Sequence, residues 1–387
     1  MTLTMIIEKN MYQYQKTNRY FAQAADDIKD IAEQEILNLG AENTKQAYCG
    51  IYFSADQKTI YRINYRSALI TRVLAPLLNF KCPSADALYN TVLKINWEDF
   101  ISSASTFAVF ASVTQSEITH SHFAALRVKD AIADYFRGKY GQRPSVDTIN
   151  PDIWINLHLE KDNAVLSFDT SGGSLHRRGY RKKGVEAPMI ETLAASIIRL
   201  SGWDGQSPLY DPFCGSGTLL TEAYLNATNT PPGFLRKRFG FEKLPDFNKS
   251  VWQEIKDEDL YKEIPKALIS GSDKSQIAVN AALRNCAVVD ANYKIIISVQ
   301  NIFDIKDIEN KTIVCNPPFG IRLEKNRDMN EFYKQLGDFF KQRCKGSTVY
   351  IYFGNRQYIK DIGLRSSWKK ELSNGGLDGR LVKYELY

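Results

Sequence analysis

The spacing of apolar residues follows two different rules in the two halves of the chain. In the first half the period changes often. Residues 19–24 suit a first strand. Ile28, Ile31, Ile36 and Leu39 then fall on one helical face, and Gly40 supplies a stop. Residues 48–54 are strand-like. The apolar run 69–78 contains Pro76, which lacks an N–H for a sheet ladder and so predicts that part of this strand lies at an edge. A helix is expected over 85–94, a strand over 106–113, and a helix over 121–137 with Phe123, Leu126, Ala133 and Phe136 turned inward. Ile153, Ile155, Leu157 and Leu159 alternate with Trp154, Asn156 and His158. The turn Lys161-Asp162-Asn163 returns that strand to Ala164, Leu166 and Phe168 as a hairpin. The first half therefore reads as α+β.

The second half alternates regularly. Pro188 opens a helix carrying Ile190, Leu193, Ile197 and Leu200, and Gly202 ends it. Strands are expected over 208–210, 267–272, 294–299, 312–315 and 347–353, with helices over 219–225, 277–285 and 332–344 between them. Residues 368–372 and 379–387 pair as a hairpin across Asn374-Gly375-Gly376. Five parallel strands followed by an antiparallel hairpin make a seven-stranded, doubly wound α/β sheet of the Rossmann-like type.

Two stretches carry the chemistry. Asp211-Pro212-Phe213-Cys214-Gly215-Ser216-Gly217-Thr218 joins a strand to a helix. Its glycines permit positive φ and close approach of a ligand, and the free N–H groups of the helix start face the crevice. The acidic Asp211 argues against a pyrophosphate and suits a cationic amino group. Asn316-Pro317-Pro318-Phe319-Gly320 ends another strand abruptly. It leaves an amide side chain, a stiff carbonyl and an aromatic ring at the carboxyl edge, where open α/β sheets bind ligands. Together the two stretches resemble the class I S-adenosylmethionine (SAM)-dependent methyltransferases that modify exocyclic amino groups. The resemblance implies that Asp211, Phe213, Gly215, Gly217 and Thr218 hold the methionine part of SAM. It places Asp273, at the end of the second parallel strand, on the ribose hydroxyls. Asn301 falls where relatives carry an Asp that accepts from the adenine amino group; an amide oxygen accepts too, but without charge. Asn316, beside the cofactor, would accept one hydrogen of the target nitrogen and the Pro317 carbonyl the other, while Phe319 stacks on the base.

Composition narrows the class. The chain has 387 residues, enough for two or three domains, of which 44% are hydrophobic and 24% charged. It has no apolar run of about 18 residues, so no membrane partner is expected. Residues 1–10 have an apolar patch but no small-residue cleavage site, which speaks against a secretory signal. The six cysteines form no C-x-x-C pair. No metal is expected, therefore, and the reducing cytoplasm is the expected compartment. The net charge of +6 is uneven: residues 1–175 carry 17 Lys and Arg against 19 Asp and Glu, and residues 176–387 carry 33 against 25. A polyanion would be gripped mainly by the second half.

The stretch His120-Ser121-His122-Phe123-Ala124-Ala125-Leu126-Arg127-Val128-Lys129-Asp130-Ala131-Ile132, with Arg143-Pro144-Ser145-Val146-Asp147, looks like a THUMP domain. Leu175-His176-Arg177-Arg178-Gly179-Tyr180-Arg181 and the ending Asn374-Gly375-Gly376-Leu377-Asp378-Gly379-Arg380-Leu381 resemble the THUMP-bearing 23S ribosomal RNA guanine-N2 methyltransferases. The division implied is a ferredoxin-like segment over 1–60, a THUMP RNA-binding domain over 61–170 and a methyltransferase domain over 171–387. The implied partner is structured RNA, either ribosomal RNA or a ribosome assembly intermediate. Residues 177–183 hold five cations and one aromatic without an acid. They read as an RNA contact through Arg177, Arg178, Tyr180, Arg181 and Lys182, or as a solvated linker. The excursion 230–263, with Arg236-Lys237-Arg238 and Phe234, Phe239, Phe241 and Trp252, either adds to the RNA surface or covers a sheet face. A DNA or protein amide methyltransferase shares the N-P-P-F signature but leaves the first half without a purpose. A non-catalytic RNA-binding module is opposed by the intact Asp211, Gly215, Gly217, Asp273 and Asn316.

Overall fold

The structure is a computed structural model and describes residues 11–182, 189–258, 260–319, 328–373 and 378–387. Pro188, Gly320 and the Asn374-Gly375-Gly376 turn lie outside the described residues.

The first half contains α1 (Gln13–Thr17), β1 (Arg19–Gln23), α2 (Lys29–Asn38), β2 (Glu42–Ala47), β3 (Gly50–Ser54), α3 (Gln57–Arg66), β4 (Arg72–Lys81), α4 (Ala85–Val92), β5 (Thr106–Thr114), α5 (Ser121–Tyr140), β6 (Ser145–Val146), β7 (Ile153–Glu160) and β8 (Asn163–Asp169). One eight-stranded sheet, in the order β2-β3-β1-β4-β8-β7-β5-β6, runs through all of it. Residue 60 lies inside α3, and β4 ties the strands on either side into one ladder.

Pro76 falls in a part of β4 that, among the described residues, pairs with β8 alone, as its missing N–H predicts. It sits in the interior strand β4, beyond the three residues paired with β1 and beside a bulge in the β4–β8 register. With a strand on one side only, the proline interrupts no second ladder. In α5 the inward row is Ala124, Val128, Ala131, Ile132, Ala133 and Phe136. Phe123 and Leu126, expected inside, are 47% and 37% exposed. The alanines let the helix lie close to β5, and the larger side chains flank that contact.

The second half contains α6 (Glu191–Ser201), β9 (Leu209–Asp211), α7 (Thr218–Thr228), α8 (Lys249–Asp257), β10 (Ile269–Asp273), α9 (Gln276–Cys286), β11 (Ile296–Val299), β12 (Thr312–Cys315), α10 (Met329–Arg343), β13 (Thr348–Phe353), β14 (Trp368–Glu371) and β15 (Arg380–Glu385). Its sheet runs β11-β10-β9-β12-β13-β15-β14, parallel from β11 to β13, with β15 antiparallel to both β13 and β14. This is the class I methyltransferase arrangement. From β9 the chain goes to one side, into β10 and β11, and then returns to the other, into β12 and β13. That reversal opens a crevice at the carboxyl ends of β9, β10 and β12.

Part of the excursion 230–263 lies on the sheet of the first half, where residues 240–243 touch β7 and β8, while Lys237 and Arg238 stay exposed. It clasps the first half. Phe241 stacks on Tyr61 of α3 at 4.3 Å, and Trp252 stands edge-on to Tyr65 at 5.3 Å and to Phe239 at 5.5 Å. Asn248 N–H donates to the Tyr61 hydroxyl at 2.9 Å, and Arg62 pairs with Glu258 at 2.9 Å. Arg236 donates to the carbonyls of Ser171 at 2.9 Å and Ser174 at 3.1 Å, and Arg238 to the carboxylate of Asp152 at 2.7 Å. Buried aromatic pairs of this kind contribute about 0.5–1.5 kcal/mol each beyond their area, which makes the two halves one packed body.

Candidate active site

Register brings the motif residues to one edge. Gly271 lies beside Asp211 and Ile313 beside Tyr210, so β9, β10 and β12 end together, at Asp211, Asp273 and Asn316. Asp211 is 1% exposed, and one of its oxygens accepts the Phe213 N–H at 2.9 Å. Burial, opposed by that hydrogen bond and reinforced by the negative charge of Asp273, pushes its pKa up to about 8. A cation placed beside it would restore the ionised form.

The turn that follows is held from outside. Gly215 and Gly217 have φ of +52° and +81°. They need glycine for different reasons. A Cβ on Gly217 would come within 3.2 Å of Ala282 and 3.0 Å of the Cys286 sulfur, so this position serves the approach of α7 to α9. A Cβ on Gly215 would meet nothing nearer than the Phe213 carbonyl at 4.0 Å. Above Gly215 lies space that a ligand can enter. Phe213 is half-buried and stands edge-on to Phe332 at 6.0 Å. Thr218 is buried at the first position of α7.

Asp273 accepts the Gly215 N–H at 3.0 Å through one oxygen and the Ser275 N–H at 2.9 Å through the other. Each oxygen keeps a lone pair for a further donor. Asn301 lies near it, since Gln300 N–H donates to the Asp273 carbonyl at 3.0 Å. The Asn301 side-chain oxygen caps a short 3-10 turn by accepting from Phe303 N–H at 3.3 Å.

Asn316 differs from all of these. Its side-chain oxygen is buried and, among the described residues, has no hydrogen-bond partner. A bare buried acceptor costs about 1–3 kcal/mol, so it marks a place where a donor is expected from outside the chain. The loop behind it is stiff. The Tyr333 hydroxyl donates to the Pro318 carbonyl at 3.1 Å, and Tyr333 itself is wedged between Tyr358 at 4.9 Å and Phe353 at 5.4 Å. Phe319 lies over Gly354, where a Cβ would stand 2.8 Å from its ring.

The "RMKL-like, methyltransferase domain" family matches residues 178–383, the THUMP domain residues 82–169, and the RlmL ferredoxin-like domain residues 19–74. The chain belongs to this methyltransferase family. A Synechocystis protein provisionally named an RNA methyltransferase is 40% identical over 96% of this chain and 97% of its own length. The ribosomal RNA large subunit methyltransferase K/L of Syntrophotalea carbinolica is 35% identical over 95% of this chain, which spans 53% of that longer relative. A solved structure, provisionally named a methyltransferase and complexed with SAH, superposes with a TM-score of 0.82 at 26% identity, covering 96% of this chain and 98% of that one.

Within this methyltransferase family frame, the basic tract needs correction. Arg178 and Tyr180 are 2% and 1% exposed, so neither can offer a cation to a phosphate or a ring to a base. Arg178 donates to the Leu175 and Ala68 carbonyls, and the Tyr180 hydroxyl donates to Glu222 at 2.9 Å. Arg181 is half-buried and bound to Glu191, the Met189 carbonyl and Ser216. Arg177 and Lys182 are the exposed cations of the described part of the tract. Sequence reading missed Tyr333, Glu222, Glu191 and Asn285. Each sits on a helix with ordinary spacing, and nothing in one sequence separates such a residue from core or surface.

Proposed function

We propose that this chain transfers a methyl group from SAM to the exocyclic N2 amino group of a guanosine in structured RNA, with large-subunit (23S) ribosomal RNA as the substrate. The observation that carries the reading is the buried Asn316 oxygen at the end of β12, which has no partner among the described residues. The crevice suits SAM: a buried Asp211 awaits a cation, space lies open above Gly215, and Asp273 has lone pairs left for hydroxyls. Bound there, SAM supplies an activated methyl group on a sulfonium.

The residues of this chain handle the acceptor. An aromatic amino group is a poor nucleophile because its lone pair is drawn into the ring. Asn316 and the Pro317 carbonyl would accept its two hydrogens and free the lone pair. The same oxygens would stabilise the positive charge that develops on nitrogen, with the neighbouring Pro318 carbonyl already held by Tyr333. Phe319 would set the plane of the base. The base must leave its helix to reach this edge, so the RNA site is single-stranded or flipped. The THUMP-family first half supports RNA over DNA or protein as the acceptor.

The test is incubation of the purified chain with labelled SAM and ribosomal RNA, and in parallel with DNA, followed by mass spectrometry of the digested nucleosides. Label in N2-methylguanosine supports the proposal. Label in another nucleoside would refute the target, and label in DNA alone the substrate class.

A further inference from the structure

The tract 175–182 is turned inward at both ends. At its start, Leu175 N–H donates to the Thr71 carbonyl at 2.8 Å, and Arg178 reaches the Ala68 carbonyl. These contacts anchor the tract to the corner before β4 in the first half. Farther along, the Arg178 guanidinium lies 3.5 Å from Glu222 of α7, which also accepts from Tyr180. At its end the tract meets Ser216, the residue between the two positive-φ glycines. Arg181 donates to the Ser216 hydroxyl at 3.3 Å. Lys182 N–H donates to the Asn285 side-chain oxygen at 2.8 Å, and the Asn285 amide donates to the Ser216 carbonyl at 3.0 Å.

A turn with glycines on both sides of one residue has two soft points. Asp273 holds it through the Gly215 N–H, and the tract holds it through the side chain and the carbonyl of Ser216. Arg181 is suited to that task by its fork. Its Nε donates to Glu191 at 3.0 Å and one terminal nitrogen to the Met189 carbonyl at 2.9 Å, which leaves the other for Ser216. A lysine ammonium could not span these three acceptors in fixed directions.

We propose that Arg181 is a positioning residue for the methyl donor, acting through Ser216 on the backbone of the Gly215–Gly217 turn and not through RNA phosphates. The proposal rests on the reading of that turn as the SAM site. It assigns the tract to cofactor geometry, with Arg177 and Lys182 left for a polyanion.

Calorimetry of SAH binding and RNA filter binding across a salt series test it, using Arg181→Ala, Arg181→Lys and Ser216→Ala in the full chain. Arg181→Ala should weaken SAH binding by about 10-fold, the usual consequence of losing a charge-assisted hydrogen bond. Arg181→Lys should recover little of that loss. Adding Ser216→Ala to Arg181→Ala should cost no more than the first change alone, because both remove one contact. The salt slope of RNA binding should not move. If Arg181→Ala does not fold, Ser216→Ala alone should still weaken SAH binding a few-fold at an unchanged Tm. Unchanged SAH affinity in Ser216→Ala and Arg181→Lys, or a salt slope lower by roughly 0.7–0.9 in Arg181→Ala, would overturn the proposal. Failure of the RNA reading would be seen separately, as wild-type protein that binds SAH and methylates no RNA.

Discussion

Asp273 and Asn316 end strands on either side of β9, yet their polar atoms are treated in opposite ways. Both Asp273 oxygens are engaged by backbone N–H groups of the chain itself, whereas the Asn316 oxygen has no partner among the described residues. A residue that binds can be built into its surroundings, because its ligand adds contacts to an existing frame. A residue that acts on a reacting atom must keep its valence open until that atom arrives, and the protein bears the cost in the meantime.

The largest effect should come from closing that difference at the open end. Asn316→Ala should cut single-turnover methyl transfer by about 10²–10³ while leaving SAH affinity within about two-fold. Equal losses in rate and in SAH affinity would place Asn316 with the binding residues. Asp273→Ala should do the reverse. It should weaken SAH binding by about 1–3 kcal/mol, since it removes a charged acceptor and frees the Gly215 N–H. Unchanged calorimetry would remove Asp273 from the cofactor site.

Asp211 adds a pH dependence. Burial raises its folded pKa to about 8, above the usual carboxylate range of the unfolded chain. The stability it contributes is therefore complete below that range and is lost as pH rises through about 8. Ligand-free protein should melt at lower temperature at pH 8.5 than at pH 6.5 by this contribution, and Asp211→Asn should flatten the decline. Binding of a cationic cofactor should tighten over the same interval, by at most about ten-fold per pH unit, as Asp211 ionises. A flat affinity from pH 6.5 to 8.5 in the wild type would show that Asp211 does not meet the cation. The smallest effect is expected at Tyr333→Phe, which frees the Pro318 carbonyl. Transfer should slow by about 2- to 10-fold with SAH binding unchanged. Rates equal to wild type would mean that the prolines alone hold the loop.

Much of the catalytic sheet was legible because parallel strands, buried on both faces, announce themselves as apolar runs ended by glycine, proline or acid. The residues at those ends were legible for the same reason. β2 was not: Glu42–Ala47 is polar but for Ala47, and it pairs with β3. Pro76 was legible, since β4 beyond Leu74 pairs with β8 alone among the described residues. The tract 177–182 misled, and the excursion 230–263 left two readings open, for one reason. Cations and aromatics have the same composition whether they face a nucleic acid or an internal set of carbonyls and rings. Arg178, Arg236 and Arg238 all reach backbone carbonyls of distant segments, and such partners leave no trace in the side-chain alphabet.

The aromatic clasp on α3 has a consequence for the order of events during synthesis. Tyr61 and Tyr65 emerge early, but their partners Phe239, Phe241 and Trp252 follow more than 170 residues later. At about 5–20 residues per second, the ribosome leaves that face without its cover for roughly 10–40 s. The eight-stranded sheet can close in the interval, because its last strand ends at Asp169. The nascent first half is thus complete in its ladder and unfinished on one flank. That flank is where a chaperone would find an apolar handhold, and where two unfinished chains on one messenger would stick to each other.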